Sequence, residues 1–153
     1  LILTRQGLQH QDRDATTLAA IERGGYVLRQ ESGPVQLVLI ASGSELELAT
    51  GAADALSSEG ISVRVVSMPN PGRFAAQPAD YRDQVLPAEC RARVAIEAGV
   101  SSYWRGFVGD AGRVIGIDHF GASAPADQLF KAFGFTVDNL IATAHELLGS
   151  ASD

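Results

Sequence analysis

Gln36-Leu37-Val38-Leu39-Ile40-Ala41 runs directly into Ser42-Gly43-Ser44-Glu45, and the reading of that junction decides the fold. An apolar run of strand length without polar alternation suits a strand covered on both faces, the place of a central parallel strand. The small polar residues then break the strand. Leu48, Ala49, Ala52, Ala53 and Leu56 recur at helical spacing until Gly60, and Ser44 stands where a helix cap is wanted. A buried strand, a tight turn and an amphipathic helix form the repeating unit of a parallel α/β sheet.

The same grammar continues downstream. Ile61 to Met68 reads as a strand rich in β-branched residues, which Pro69-Asn70-Pro71-Gly72 ends sharply. Ala92 to Ala98, closed by Gly99, and Arg113 to Asp118 give two more strands, with an aromatic helix at Ser102 to Val108 between them. Pro125 suits the first position of a helix that Gly134 ends. Thr136 caps a last helix whose apolar side is Val137, Leu140, Ile141, Ala144, Leu147 and Leu148. Upstream, Tyr26-Val27-Leu28 is a short strand, Leu18 to Ile21 a helical turn, and Gln6 to Thr17 a polar linker. The expectation is a three-layer α/β sandwich: a mostly parallel, mixed sheet of about five strands, with helices on both faces.

Composition sets the outer limits. The chain has 153 residues, 46% of them apolar and 20% charged, and a formal charge of −6. That is the profile of a globular domain with a real core. No apolar run approaches the roughly 20 residues that cross a bilayer, and no basic cluster marks a nucleic-acid partner. A single cysteine, Cys90, excludes an internal disulfide framework and fits a cytoplasmic home. The chain opens on Leu1-Ile2-Leu3-Thr4, without Met and without signal-peptide features, and reads as the end of a buried strand cut from something larger.

Chemistry-bearing motifs are few. The Ser42-Gly43-Ser44 turn has the strand-to-helix setting in which free N–H groups bind anions. It lacks both the dinucleotide glycine pattern and a phosphate-loop lysine, so a plain turn explains it as well. Gly106, Gly109 and Gly112 match neither pattern. His145-Glu146 begins like a zinc-protease motif, but Gly149 stands where the second histidine belongs. Asp118-His119 follows a strand, yet no nucleophile elbow accompanies it. Cys90 has Arg91 and Arg93 nearby, which would lower its pKa, although a passive thiol is the simpler reading. Tyr103-Trp104 and Phe107 suit core packing, or an interface where exposed. Arg5, at the end of the opening strand, could grip a phosphate through two charge-assisted bonds, although a solvated linker arginine is the simpler reading of its position alone.

Taken together, several stretches change this balance. Leu3-Thr4-Arg5-Gln6, Gly24-Gly25-Tyr26-Val27-Leu28, Ala41-Ser42-Gly43-Ser44-Glu45 and Val63-Arg64-Val65-Val66-Ser67-Met68-Pro69 are followed by Val94-Ala95-Ile96-Glu97-Ala98-Gly99. Phe120-Gly121-Ala122-Ser123-Ala124-Pro125 and Phe133-Gly134-Phe135-Thr136-Val137-Asp138-Asn139 complete the series. In this order they resemble the C-terminal, third domain of transketolases, with residues 1–23 as the tail of a preceding pyrimidine-binding domain plus linker and 24–153 as the third domain.

The resemblance implies a full-length homodimeric enzyme that moves a two-carbon ketol unit from a ketose phosphate to an aldose phosphate. It also implies thiamine diphosphate and a divalent metal, Mg or Ca, held by the earlier domains, with no cofactor expected in this chain. The third domain of the family is expected to be structural, and this chain alone inactive and monomeric. Arg5 matches the family's arginine that contacts the substrate phosphate, and without its companion residues it should be mobile and bind weakly. Gly7 replaces an asparagine usual in that loop, and Asn70-Pro71-Gly72-Arg73 departs from the pattern after Ser67-Met68-Pro69. Two alternatives stand beside this reading. One is the third domain of a related thiamine-dependent enzyme such as dihydroxyacetone synthase. The other is a stand-alone module holding an anion or nucleotide at Ser42, Gly43 and Ser44.

Overall fold

The computed structural model describes residues 6–150, and Arg5 and the opening Leu1–Thr4 stretch lie outside the described residues. Five strands form one mixed sheet in the order β1-β3-β2-β4-β5. They are β1 (Tyr26–Arg29), β2 (Leu37–Ala41), β3 (Val63–Ser67), β4 (Arg93–Ile96) and β5 (Arg113–Ile115). β2 is central, and its residues pair in parallel register with both neighbours, Leu39 opposite Val65 and Val94. β1 alone runs antiparallel, against β3 at the sheet edge.

Because side chains alternate along a strand, an apolar run must feed two cores. Leu37, Leu39 and Ala41 enter one core with Ala49, Ala52, Ala53 and Leu56 of α2 (Leu46–Ser58) and Leu140, Ala144 and Leu147 of α7 (Val137–Ser150). Val38 and Ile40 enter the other, with Met68, Phe74, Val85, Trp104 and Val108. Those residues come from α3 (Pro71–Ala75), α4 (Ala79–Val85), α5 (Ser101–Val108) and the strand ends. Each fully buried Leu or Ile stabilises the fold by roughly 1.5–3 kcal/mol. The three-layer α/β arrangement of the sequence reading is what the chain forms.

Several boundaries move, each for a physical reason. Asp14 accepts the Thr17 amide at 2.7 Å, so α1 (Ala15–Ile21) starts inside the stretch read as linker. Ser44 does not cap α2. Residues Gly43–Glu45 form a 3-10 turn, and Glu45 is the residue before the helix. Pro125 is likewise the residue before α6 (Ala126–Ala132) rather than its first member. Thr136 does cap α7, its Oγ1 accepting the Asn139 amide at 3.1 Å. α3 and α4 have no counterpart in the sequence reading.

Polar ties hold the surface elements down. Arg64 of β3 and Glu31 form a buried two-pronged ion pair, and Arg64 also donates to the Gln84 and Val85 carbonyls at the end of α4. Its hydrogen bonds hold the Glu31 carboxyl below the ordinary range. Arg13 donates to the Tyr26 hydroxyl at 2.9 Å, which fastens the linker over β1.

Candidate functional site at the strand ends

In an open α/β sheet, ligands gather at the carboxyl ends of strands where the winding reverses. Here that point lies between β2 and β4. The chain leaves β2 through Ser42, extended, and Gly43, whose φ of +53° is a left-handed conformation that favours glycine. Ser42 Oγ donates to Glu97 Oε2 at 2.8 Å, across to the residue following β4. Ser44 Oγ donates to Glu45 Oε2 at 2.9 Å, and the Ala98 amide donates to Glu45 Oε1 at 3.2 Å. Glu45 is 3% exposed. The crevice is thus closed by two carboxylates, two hydroxyls and an amide of the chain itself.

Electrostatics follow from this packing. Burial pushes the Glu97 carboxyl up to about 7; the Ser42 hydrogen bond opposes the shift and the Glu45 charge adds to it. At the neighbouring crevice, Asp118 accepts the Ser101 amide at 2.9 Å and the Ser101 hydroxyl at 2.6 Å, closing the N-terminus of α5. Those two bonds hold its carboxyl below the ordinary range.

The other sequence candidates are placed as follows. His119 lies against Phe133, ring centres 4.9 Å apart, with Nδ1 2.8 Å from its neighbour's carbonyl. The hydroxyls of Ser42 and Ser44 are engaged by carboxylates, so no Ser–His pair forms. His145 pairs with Glu59 at 3.0 Å, between α7 and α2. Burial raises the Cys90 thiol pKa and outweighs the attraction of Arg93, in keeping with the passive thiol of the sequence reading rather than with an activated one. Arg93 gives its guanidinium to four carbonyls, of Cys90, Phe107, Leu86 and Pro87. Gly109 ends α5 with a φ of +73°, a left-handed conformation that favours glycine. Trp104 is core, whereas Tyr103 is exposed. The pairing of Glu97 with the Ser42 turn escaped the sequence reading. The available signal was an acidic residue closing an apolar strand, just before Ala98-Gly99.

A family model described as the transketolase-like TK C-terminal domain matches residues 24–136. The chain belongs to that family. It is 55% identical over 148 residues to Transketolase 2 of Vibrio parahaemolyticus, covering 97% of this chain and 22% of the relative. The chain therefore spans about a fifth of the length of the curated transketolases it matches. Among solved structures, transketolase from Leishmania mexicana superposes with a TM-score of 0.81 at 43% identity, over 90% of this chain and 20% of that one. Transketolase of Pichia stipitis in complex with sedoheptulose-7-phosphate superposes at 0.80 with 28% identity, over 89% and 19%. The resemblance first seen in short motifs is thus shown over nearly the whole chain.

The residues at the strand ends do not fit the thiamine diphosphate and metal associated with transketolases. Among the described residues no three His, Cys, Asp or Glu side chains come together to hold a metal. A diphosphate at the Ser42 turn would face the carboxylates of Glu45 and Glu97, and the depression beside Gly43 and Ser44 is lined by Glu47 as well as by His10 and Arg13. None of the described helices is long and apolar enough to cross a membrane.

Proposed function

We propose that this chain works as the third domain of a transketolase, lending structure and interface to an enzyme whose chemistry resides in other domains. The observation that carries the reading is the asymmetry of coverage: 97% of this chain aligns with only 22% of a transketolase. On this reading the whole enzyme is a cytoplasmic homodimer that transfers a two-carbon ketol unit between sugar phosphates, using thiamine diphosphate and a divalent metal bound outside residues 24–153. The sugar-phosphate complex of the Pichia stipitis relative supports that substrate class. Arg5 would contribute one grip on the substrate phosphate. The carboxylates lining the Ser42 turn weigh against the stand-alone anion-binding alternative.

The surface supports an interface role. Phe120 is 98% exposed, and Val100, Ile117 and His119 line the same shallow depression, with exposed Tyr103 one turn of α5 away. Exposed aromatic and aliphatic groups gathered this way mark contact surfaces.

The test grafts residues 1–153 in place of the matching region of an active transketolase. Ketol transfer by the chimera, with none by this chain alone, is the expected result. An inactive but folded chimera, or transfer by the chain alone, overturns the reading. In the chimera, Arg5→Ala should raise KM for phosphorylated substrates about tenfold or more while sparing kcat, since a charge-assisted bond contributes roughly 1.5–3 kcal/mol.

A further inference from the structure

We propose that Tyr26 and Tyr81 form a docking face for the chain's own linker helix, α1, which Arg13 and Arg23 hold there and which comes away as one unit while the sheet stays folded.

The receiving side is rigid. Tyr26 opens β1 and is buried. Tyr81, in α4, packs edge-on against buried Phe74 with ring centres 6.2 Å apart, and its hydroxyl donates to the Gly25 carbonyl at 2.9 Å. Gly24 is buried with a φ of +89°, and its carbonyl accepts the Asn70 amide at 2.9 Å. A Cβ on Gly24 would stand 2.4 Å from the Asn70 carbonyl oxygen, so the chain passes this joint only as glycine. The fixed part of the domain therefore begins sharply at Gly24.

The docked side is held differently. No residue of α1 is buried, Leu18 is 54% exposed, and the helix adds no side chain to either core. Between helix and domain lies a cavity of about 340 Å³, walled by Thr16, Thr17 and Ala20 on one side and by Val27, Gln30 and Gln84 on the other. Apolar burial, which holds α2 and α7, therefore does little for α1.

What fastens α1 is polar and stands at its two ends. Ahead of the helix, Arg13 donates Nε to the Tyr26 hydroxyl and Nη1 to the Gln11 carbonyl, both at 2.9 Å. Behind it, the Arg23 guanidinium lies over the Tyr81 ring, 4.2 Å from its centre. A helix of seven residues is too short to persist alone in water, so undocking and melting of α1 are one event. With residues 1–23 as the connection to a preceding domain, that event lengthens the connection and leaves the sheet intact. This consequence rests on the function proposed above; the docking itself does not.

The test is native-state amide hydrogen exchange on the whole chain in increasing denaturant. The Leu18 amide, bonded to the Asp14 carbonyl, should be protected above the unstructured rate. Its protection should be about a hundredfold or more below that of the β2 amides, with a much shallower denaturant slope, because little surface opens. Arg13→Ala and Arg23→Ala should each lower Leu18 protection about fivefold. Tyr26→Phe keeps the ring and removes the acceptor, so it should match Arg13→Ala, and combining the two should add nothing further. Ile40→Val, in the core, should lower β2 protection roughly three- to tenfold and leave Leu18 within a factor of about two, since the core stays folded when α1 opens. Leu18 exchanging at the unstructured rate, Leu18 sharing the protection and slope of β2, or either arginine variant without effect on Leu18 would each overturn the strap. The denaturant slope of the parent chain decides the matter even if a variant fails to fold, and the chimera experiment decides the function separately.

Discussion

Glu97 and Asp118 occupy equivalent places and behave in opposite ways. Each follows a parallel strand, and each accepts the hydroxyl of a serine, Ser42 of the turn after β2 at 2.8 Å and Ser101 at the start of α5 at 2.6 Å. Yet Glu97 titrates high and Asp118 low. Asp118 is open to solvent and accepts an amide as well as the hydroxyl, with Arg105 and His119 adding favourable charge. Glu97 is shielded and faces another carboxylate. A serine contact alone therefore says little about an acid; shielding and the sign of the next charge decide.

The sharpest way to break the comparison is Glu97→Gln. The folded-state pKa of Glu97 lies above its unfolded value, so its contribution is whole below about 4.5 and lost as pH rises through about 7. Denaturant unfolding should show Glu97→Gln gaining about 3 kcal/mol over the parent at pH 8, at most, and little at pH 4.5. No gain at pH 8 would mean that water already solvates the charge. Ser42→Ala should do the reverse on a smaller scale, costing roughly 1 kcal/mol at pH 8, where it removes the donor to an ionised acid. At pH 5 the same variant should lose less, and a carboxyl titration should place Glu97 higher than in the parent.

Asp118→Asn sharpens the other arm with the smallest effect. The folded-state pKa of Asp118 is depressed, so its stabilisation is present above the ordinary carboxylate range and disappears as pH falls. A modest drop in Tm at pH 7 that vanishes in acid is the expected result. A drop of equal size at both extremes would assign the effect to the shape of the cap rather than to its charge. Phe120→Ser should leave the isolated chain's stability within about 0.5 kcal/mol of the parent, since its ring touches little.

The fold was readable wherever burial imposes a period. β2 stands out because both faces are covered, and α2 and α7 because one stripe recurs over several turns. α3 and α4 bury one large side chain each, Phe74 and Val85, and so offer no period to read. The site was legible only in half. The Ser42 turn announces itself as a tight strand-to-helix junction. Glu97 lies 55 residues further on, and only the parallel register of β2 with β4 makes them neighbours. Sequence places an acid at the end of a strand; it does not show which strand end it will face.

β4 has a different kind of fastening at its start. Arg93 gives its guanidinium to four backbone carbonyls and to no carboxylate. Carbonyls do not titrate, and an arginine keeps its charge across the pH range of living cells even when burial lowers its pKa. The strand is therefore anchored like a door: a hinge indifferent to acid at Arg93, and at Glu97 a latch side whose charge changes near neutrality.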